Sequence, residues 1–346
     1  METRMLLIPG LLLLAAPLSA HHSRAEYDQD TWVEFEATVT QVQWRNPHLR
    51  FTVEREVDGE VEVWDLEGQD ANNVARRGVP RNAIQPGMVV RLAGWPSSRQ
   101  EQHLAVNNFL LPDGLEVIVR QNVQPRWSER YVGGGQWIVD ESLEASDGSA
   151  GIYQVWSQRF RGARGDLSAL DDPPLTEAGR IGRDNYDPNV DDPSLEQCVA
   201  RGMPDAMSAA GSLHPFEFVQ DGDDILMRLE AFDNVRRIHM DSAASAEEQP
   251  FTPLGYSTGR WEGDTLVVTT TRIDWPTSRY FSPRIPQSRE VELVERFTLL
   301  EDGTQLAYDV AITDPVNLTE PVSVERYVVW GTRPGIEVFP YECARR

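Results

Sequence analysis

The sequence predicts an all-β chain in two units, an OB-like small barrel followed by a larger antiparallel β-barrel. Two observations carry this: strict period-two alternation through much of Thr31–Arg120, and repeated hairpin signals between Phe216 and Trp330. A third sets the boundary, because residues 121–136 contain Pro125 and a Gly-Gly-Gly run and read as a linker.

In the first unit, residues 21–120, the segments "WVEFEATVTQVQW", "HLRFTVEREV" and "EVEVWDLEG" alternate apolar and polar side chains. Half-buried strands require that period, since successive side chains leave opposite faces of a sheet. Asp58-Gly59 joins the second and third strands as a hairpin turn. "QDANNVARRGV" follows as a short helix, opened by Asp70 and closed by Gly78. "MVVRLAGW" and "HLAVNNFLL" add two more strands. Three strands, a helix and two strands is the order of an OB-like barrel.

The second unit, residues 137–346, contains "FEFVQDGDDILMRLEAF", "STGRWEGDTLVVTTTRI" and "EVELVERFTLLEDGTQLAYDVAI", each a hairpin around a glycine turn. "VSVERYVVW" completes the set. Successive hairpins of this kind build an up-and-down barrel or a two-sheet structure. Residues 161–207 form a long acidic segment without periodicity, expected as a lid, a binding loop or a partly disordered stretch.

Residues 1–20 have the parts of a cleaved signal peptide: Arg4, an apolar run from Met5 to Ala16, and a small-residue exit at Leu18-Ser19-Ala20. Cleavage after Ala20 makes His21 the first mature residue. The apolar run is too short to span a bilayer, which needs about 18 or more apolar residues, and no later stretch reaches that length. A periplasmic or secreted protein is therefore expected. The net charge of −23 and a pI near 4.6 argue against nucleic acid or an anionic membrane as partner. All basic residues are arginine, as a GC-rich genome or a salty habitat would favour. The two cysteines, Cys198 and Cys343, are expected to form a disulfide in an oxidising compartment.

Two sets of residues carry candidate chemistry. The first is metal binding. A mature N-terminal His21 offers its α-amine and its imidazole Nδ1, which close a chelate ring on one ion. A third nitrogen completes an arrangement that suits copper. His48, in "WRNPHLRF", is the leading third ligand, with His22 and His103 as the others. A plainer reading is that the histidine pair tunes cleavage and that Pro47-His48 makes a turn against Trp44. The second set lies in the later barrel. Glu295 shares the face of Val291, Leu293, Phe297 and Leu299, so it is expected to point inward, where desolvation suits a carboxylate to acid–base work. Should the interior be polar, His239, Asp264 and Arg260 are candidate partners of Glu295 in an isomerase, lyase or hydrolase, or in a carrier of a small apolar or glycosidic ligand. Otherwise Ile238 and Met240 face the core and His239 meets solvent. Gly255, Gly259 and Gly263 read as turn residues and Trp261 as a plug at the barrel end. No Gly-x-Ser-x-Gly elbow is present.

The segments "AHHSRAEYD", "VTQVQWRNPHLRFTV" and "PGMVVRLAGWPS" resemble a family of small uncharacterised bacterial periplasmic proteins with a mature His-His-Ser start and an Asn-Pro-His motif. The later "GYSTGRWEGDTLVV" and "ITDP" resemble another uncharacterised periplasmic β-domain, similar in shape to lipocalin-like barrels. The resemblance implies an exported, two-domain, β-rich protein and brings no activity with it.

Overall fold

A computed structural model describes residues 26–135, 148–158, 165–187, 190–193, 198–211, 214–240, 245–300, 303–332 and 335–343. His21, His22 and the whole signal segment lie outside the described residues.

The first unit is the expected small barrel. Strands β1 (Val33–Gln43), β2 (Arg50–Val57) and β3 (Glu60–Glu67) form a meander, helix α1 (Ala71–Arg76) follows, and β4 (Val89–Pro96) and β5 (His103–Leu110) complete it. β4 pairs with β1 and with β5, and a parallel pairing of β3 with β5 closes the ring. Asp58 and Gly59 both take positive φ, the turn a tight hairpin needs. The Asp70 side chain accepts from the backbone N–H of Asn73 and so caps α1. At Gly94, a bulge in β4, an added Cβ would sit 2.2 Å from the Ala105 carbonyl oxygen, so only glycine allows that approach. Inside, Phe51 and Phe109 meet with ring centroids 4.9 Å apart among fully buried Val39, Leu66 and Leu92. Each such aliphatic side chain contributes about 1.5–3 kcal/mol by leaving water.

Residues 121–135 do not form the expected linker. They are packed on the first barrel: β7 (Tyr131–Gly133) pairs in parallel with β6 (Glu116–Ile118). The buried Glu116 carboxylate also accepts the backbone N–H groups of Arg126, Trp127 and Ser128 at 2.7, 2.8 and 2.9 Å. One carboxylate satisfies three amides that a loop would otherwise leave to water, which pins the strap.

The second unit is a closed barrel of nine strands. In ring order these are β8 (Val155–Gln158), β9 (Phe216–Asp221), β10 (Asp224–Leu229), β11 (Asn234–Met240), β12 (Tyr256–Glu262), β13 (Thr265–Thr271), β16 (Glu292–Leu300), β17 (Gln305–Thr313) and β18 (Val322–Thr332). A two-stranded ribbon of β14 (Thr277–Ser278) and β15 (Ile285–Pro286) stands beside it. The expectation of an antiparallel barrel holds except between β11 and β12, which run parallel. β8, which closes the ring against β18, carries no hairpin signal of its own. The segment 161–207 is not a structureless loop: its described part contains α2 (Ser168–Asp171), α3 (Glu177–Asn185) and the start of α4 (Asp205–Ala209).

The disulfide Cys198–Cys343 is formed. It holds the C-terminal segment where that segment meets the first barrel. Asn46 donates to the Tyr341 carbonyl oxygen, and Asn72 donates to the Pro340 carbonyl oxygen at 3.2 Å. Beside them the buried Glu230 accepts from Arg76, Asn72 and the Phe339 N–H, and its carboxylate lies 3.1 Å from His214 Nδ1. The two barrels are joined through this buried polar junction.

Candidate functional site

The first candidate site lies where the described chain begins. Glu26 is fully buried, and its carboxylate accepts from Ser97 at 3.0 Å and Gln100 at 3.2 Å. Tyr27 follows, its ring stacked on His103 and its hydroxyl 2.8 Å from His103 Nε2. Glu26 and Tyr27 are therefore anchored on the β4–β5 hairpin.

His103 itself is 2% exposed, and its Nδ1 lies 3.4 Å from Asp65. Both of its nitrogens face groups of the barrel, so it serves as a packing and hydrogen-bonding residue in the described structure. His48 differs. It follows the cis Asn46–Pro47 bond, its side chain is 42% exposed, and its Nδ1 stands 3.7 Å from Glu67. The protein atoms crowding the ring lower its pKa below the ordinary histidine value, against the pull of Glu67 and Asp70. Glu67 is held by Arg50 at 2.8 Å, and its charge also helps raise the pKa of Tyr27, whose burial is the larger cause. Glu67 thus acts electrostatically on both His48 and Tyr27. Among the described residues no group of three or more His, Cys, Asp or Glu side chains is arranged to hold a metal ion.

The second candidate set is not brought together. Glu295 does point inward and is fully buried. Its partner is Arg236, which the alternation of "RRIHMD" places on the same face as Ile238. Arg236 Nη1 donates to Glu295 at 3.0 Å, and Nη2 donates to the other carboxylate oxygen. Tyr308 donates to Glu295 at 2.9 Å, while Ser257 and Thr270 accept from Arg236 at 2.9 and 2.6 Å. Burial, and then the Glu295 charge, push the Tyr308 pKa well up, so this hydroxyl stays a donor.

The other three candidates lie elsewhere. His239 faces outward, 3.1 Å from Asp224 and stacked on Tyr256. Asp264 is exposed at the β12–β13 turn, and the exposed Arg260 pairs with Glu262. The plain alternation of β11 had already offered this outcome for His239. The sequence signal for Arg236 is its place on the same strand face as Ile238, which makes it an inward arginine able to balance Glu295. Trp261 is 42% exposed and plugs nothing. Gly259 lies inside β12, where a Cβ would meet Ile238 and Met240 at 2.6 and 2.7 Å, so it serves close packing and not a turn. Around the ion pair, Trp156, Phe216, Phe297 and Trp330 fill the interior.

Fold and sites together define a two-barrel protein with a histidine–carboxylate cluster on the first barrel and a sealed ion pair within the second. Residues 10–105 match a family of unknown function (DUF6152). That match ends inside β5. No curated protein and no solved structure matches the chain.

Proposed function

We propose that this is an exported metal-binding protein that prefers copper, with the α-amine and imidazole Nδ1 of His21 as two ligands and His48 as the third. These nitrogen ligands would make a site of the kind copper favours, suited to buffering or delivery of the ion. The observation that carries the reading is the contrast between His48 and His103. His48 is half open with Glu67 3.7 Å behind it, whereas His103 is committed to Tyr27 and Asp65. Glu67 fits the part of an outer carboxylate that orients a ligating imidazole. The disulfide supports export, since such bonds persist in oxidising compartments. The second reading, a lipocalin-like enzyme or carrier, draws less support from an interior filled by aromatic rings and one ion pair.

The test is a copper titration of the processed protein beginning at His21, followed by electron paramagnetic resonance. A tight one-to-one site with nitrogen hyperfine structure is expected. It should be lost in His48→Ala and when a methionine precedes His21, and kept in His103→Ala. Weak binding indifferent to these changes overturns the reading.

A further inference from the structure

The first barrel carries an open cleft of about 740 Å³ between β1, β4 and the strap that follows β6. Its walls combine three kinds of side chain. Trp32, Trp95 and Trp127 supply indole faces. Gln29, Gln121, Asn122 and Gln124 supply neutral amides. Arg91, Arg120 and Arg126 supply guanidinium groups against a single carboxylate, Glu34.

Each kind is placed with some care. Arg126 lies 4.2 Å above the Trp32 ring, Arg91 5.3 Å above Trp127 and Arg120 5.4 Å above Trp95. Glu34 is bound by Arg91 and lies 3.4 Å from Arg126, while Trp127 Nε1 donates to it at 3.3 Å. Those bonds fix Arg91, Arg126 and Trp127 before any ligand arrives, which lowers the ordering cost of binding. The Trp95 indole N–H is buried and has no hydrogen-bond partner among the described residues. Three arginines against one glutamate give the cleft a net positive charge on a chain whose formal net charge is −23.

We propose that this cleft binds a short acidic saccharide, a chain of pyranose rings carrying carboxylates. Indole faces take the C–H faces of sugar rings. Side-chain amides both donate to and accept from hydroxyls. Guanidinium groups pair with carboxylates through parallel N–H bonds. A flat aromatic acid fits less well, because Trp32 and Trp95 meet edge-on at 60° and form no parallel slot between them. The proposal is independent of any metal at His21.

The experiment is a titration of the metal-free processed protein with α-1,4-linked trigalacturonate, followed by tryptophan fluorescence and calorimetry. Maltotriose serves as the neutral comparison and benzoate as the aromatic acid. Saturable binding of trigalacturonate is expected, at least tenfold tighter than maltotriose or benzoate and weakened by added salt. Trp32→Ala and Arg126→Gln, two separate changes at partly exposed positions, should each weaken it at least tenfold. Failure to saturate at millimolar trigalacturonate overturns the proposal. So does equal or tighter binding of maltotriose or benzoate, or binding that neither substitution changes.

Discussion

Asn46 hands its side-chain amide to the carbonyl oxygen of Tyr341, two residues before the disulfide-bonded Cys343, and accepts the Ala71 N–H at 2.9 Å with its own oxygen. One side chain from the Asn-Pro-His segment therefore starts α1 and secures the C-terminal segment to the first barrel. Asn46→Ala leaves a buried N–H and a buried carbonyl without this partner. Each such loss costs about 1–3 kcal/mol, so a destabilisation of about 3 kcal/mol is expected. Urea unfolding measures it, and an unchanged midpoint would refute the role.

The Arg236–Glu295 pair inside the second barrel makes a different prediction. Glu295→Gln leaves a buried guanidinium without its counter-charge, and breaking a buried pair in this way costs about 3–5 kcal/mol. Arg236→Met combined with Glu295→Leu removes both charges together, and is expected to recover most of that loss. Denaturant titration of the two variants distinguishes a structural pair from an independent role for Glu295. A double variant as unstable as the single one would mean that the surrounding hydroxyls, and not the counter-charge, dominate.

The period-two pattern made nearly all of the first barrel legible, because each strand exposes one face and buries the other. The inward direction of Glu295 was readable for the same reason. Its partner was not, since strand alternation assigns a face but cannot say which strand lies across the barrel. The strap at residues 121–135 reads as a linker because what holds it is one glutamate ten or more residues away and a parallel strand of only three residues, neither of which leaves a period-two pattern. The parallel step between β11 and β12 is hidden for a related reason: no turn signal marks a crossover. The cleft draws on β1, β4 and the strap, so no single stretch of sequence displays it.

Glu230 makes the junction sensitive to acid. Burial alone would raise its pKa, but the bonds from His214 and Arg76 prevail and hold it below the ordinary value of 4.5. A carboxylate depressed in the folded state stabilises it fully above the unfolded value, and that contribution is lost as pH falls through the folded value. The wild type should therefore lose stability relative to Glu230→Gln as pH drops below about 5. Urea midpoints of the two proteins between pH 7 and pH 3 measure this. Parallel curves would remove Glu230 from the acid response.

Glu116 controls the strap and, through it, the cleft. It is fully buried and accepts from Asn108 at 2.6 Å in addition to the three backbone N–H groups of Arg126, Trp127 and Ser128. Hydrogen bonds to a charged acceptor contribute about 1.5–3 kcal/mol each, and removing the acceptor orphans several donors together. Glu116→Ala should cost about 3 kcal/mol or more of stability, whereas Glu116→Gln keeps one acceptor oxygen and should cost less. The backbone that presents Arg126 and Trp127 loosens with it, although neither side chain is altered. Faster amide exchange confined to residues 121–130, with tryptophan emission shifted to longer wavelength, is the expected signature. Exchange accelerated evenly across the first barrel would instead show that Glu116 supports the barrel as a whole, and that the strap merely follows.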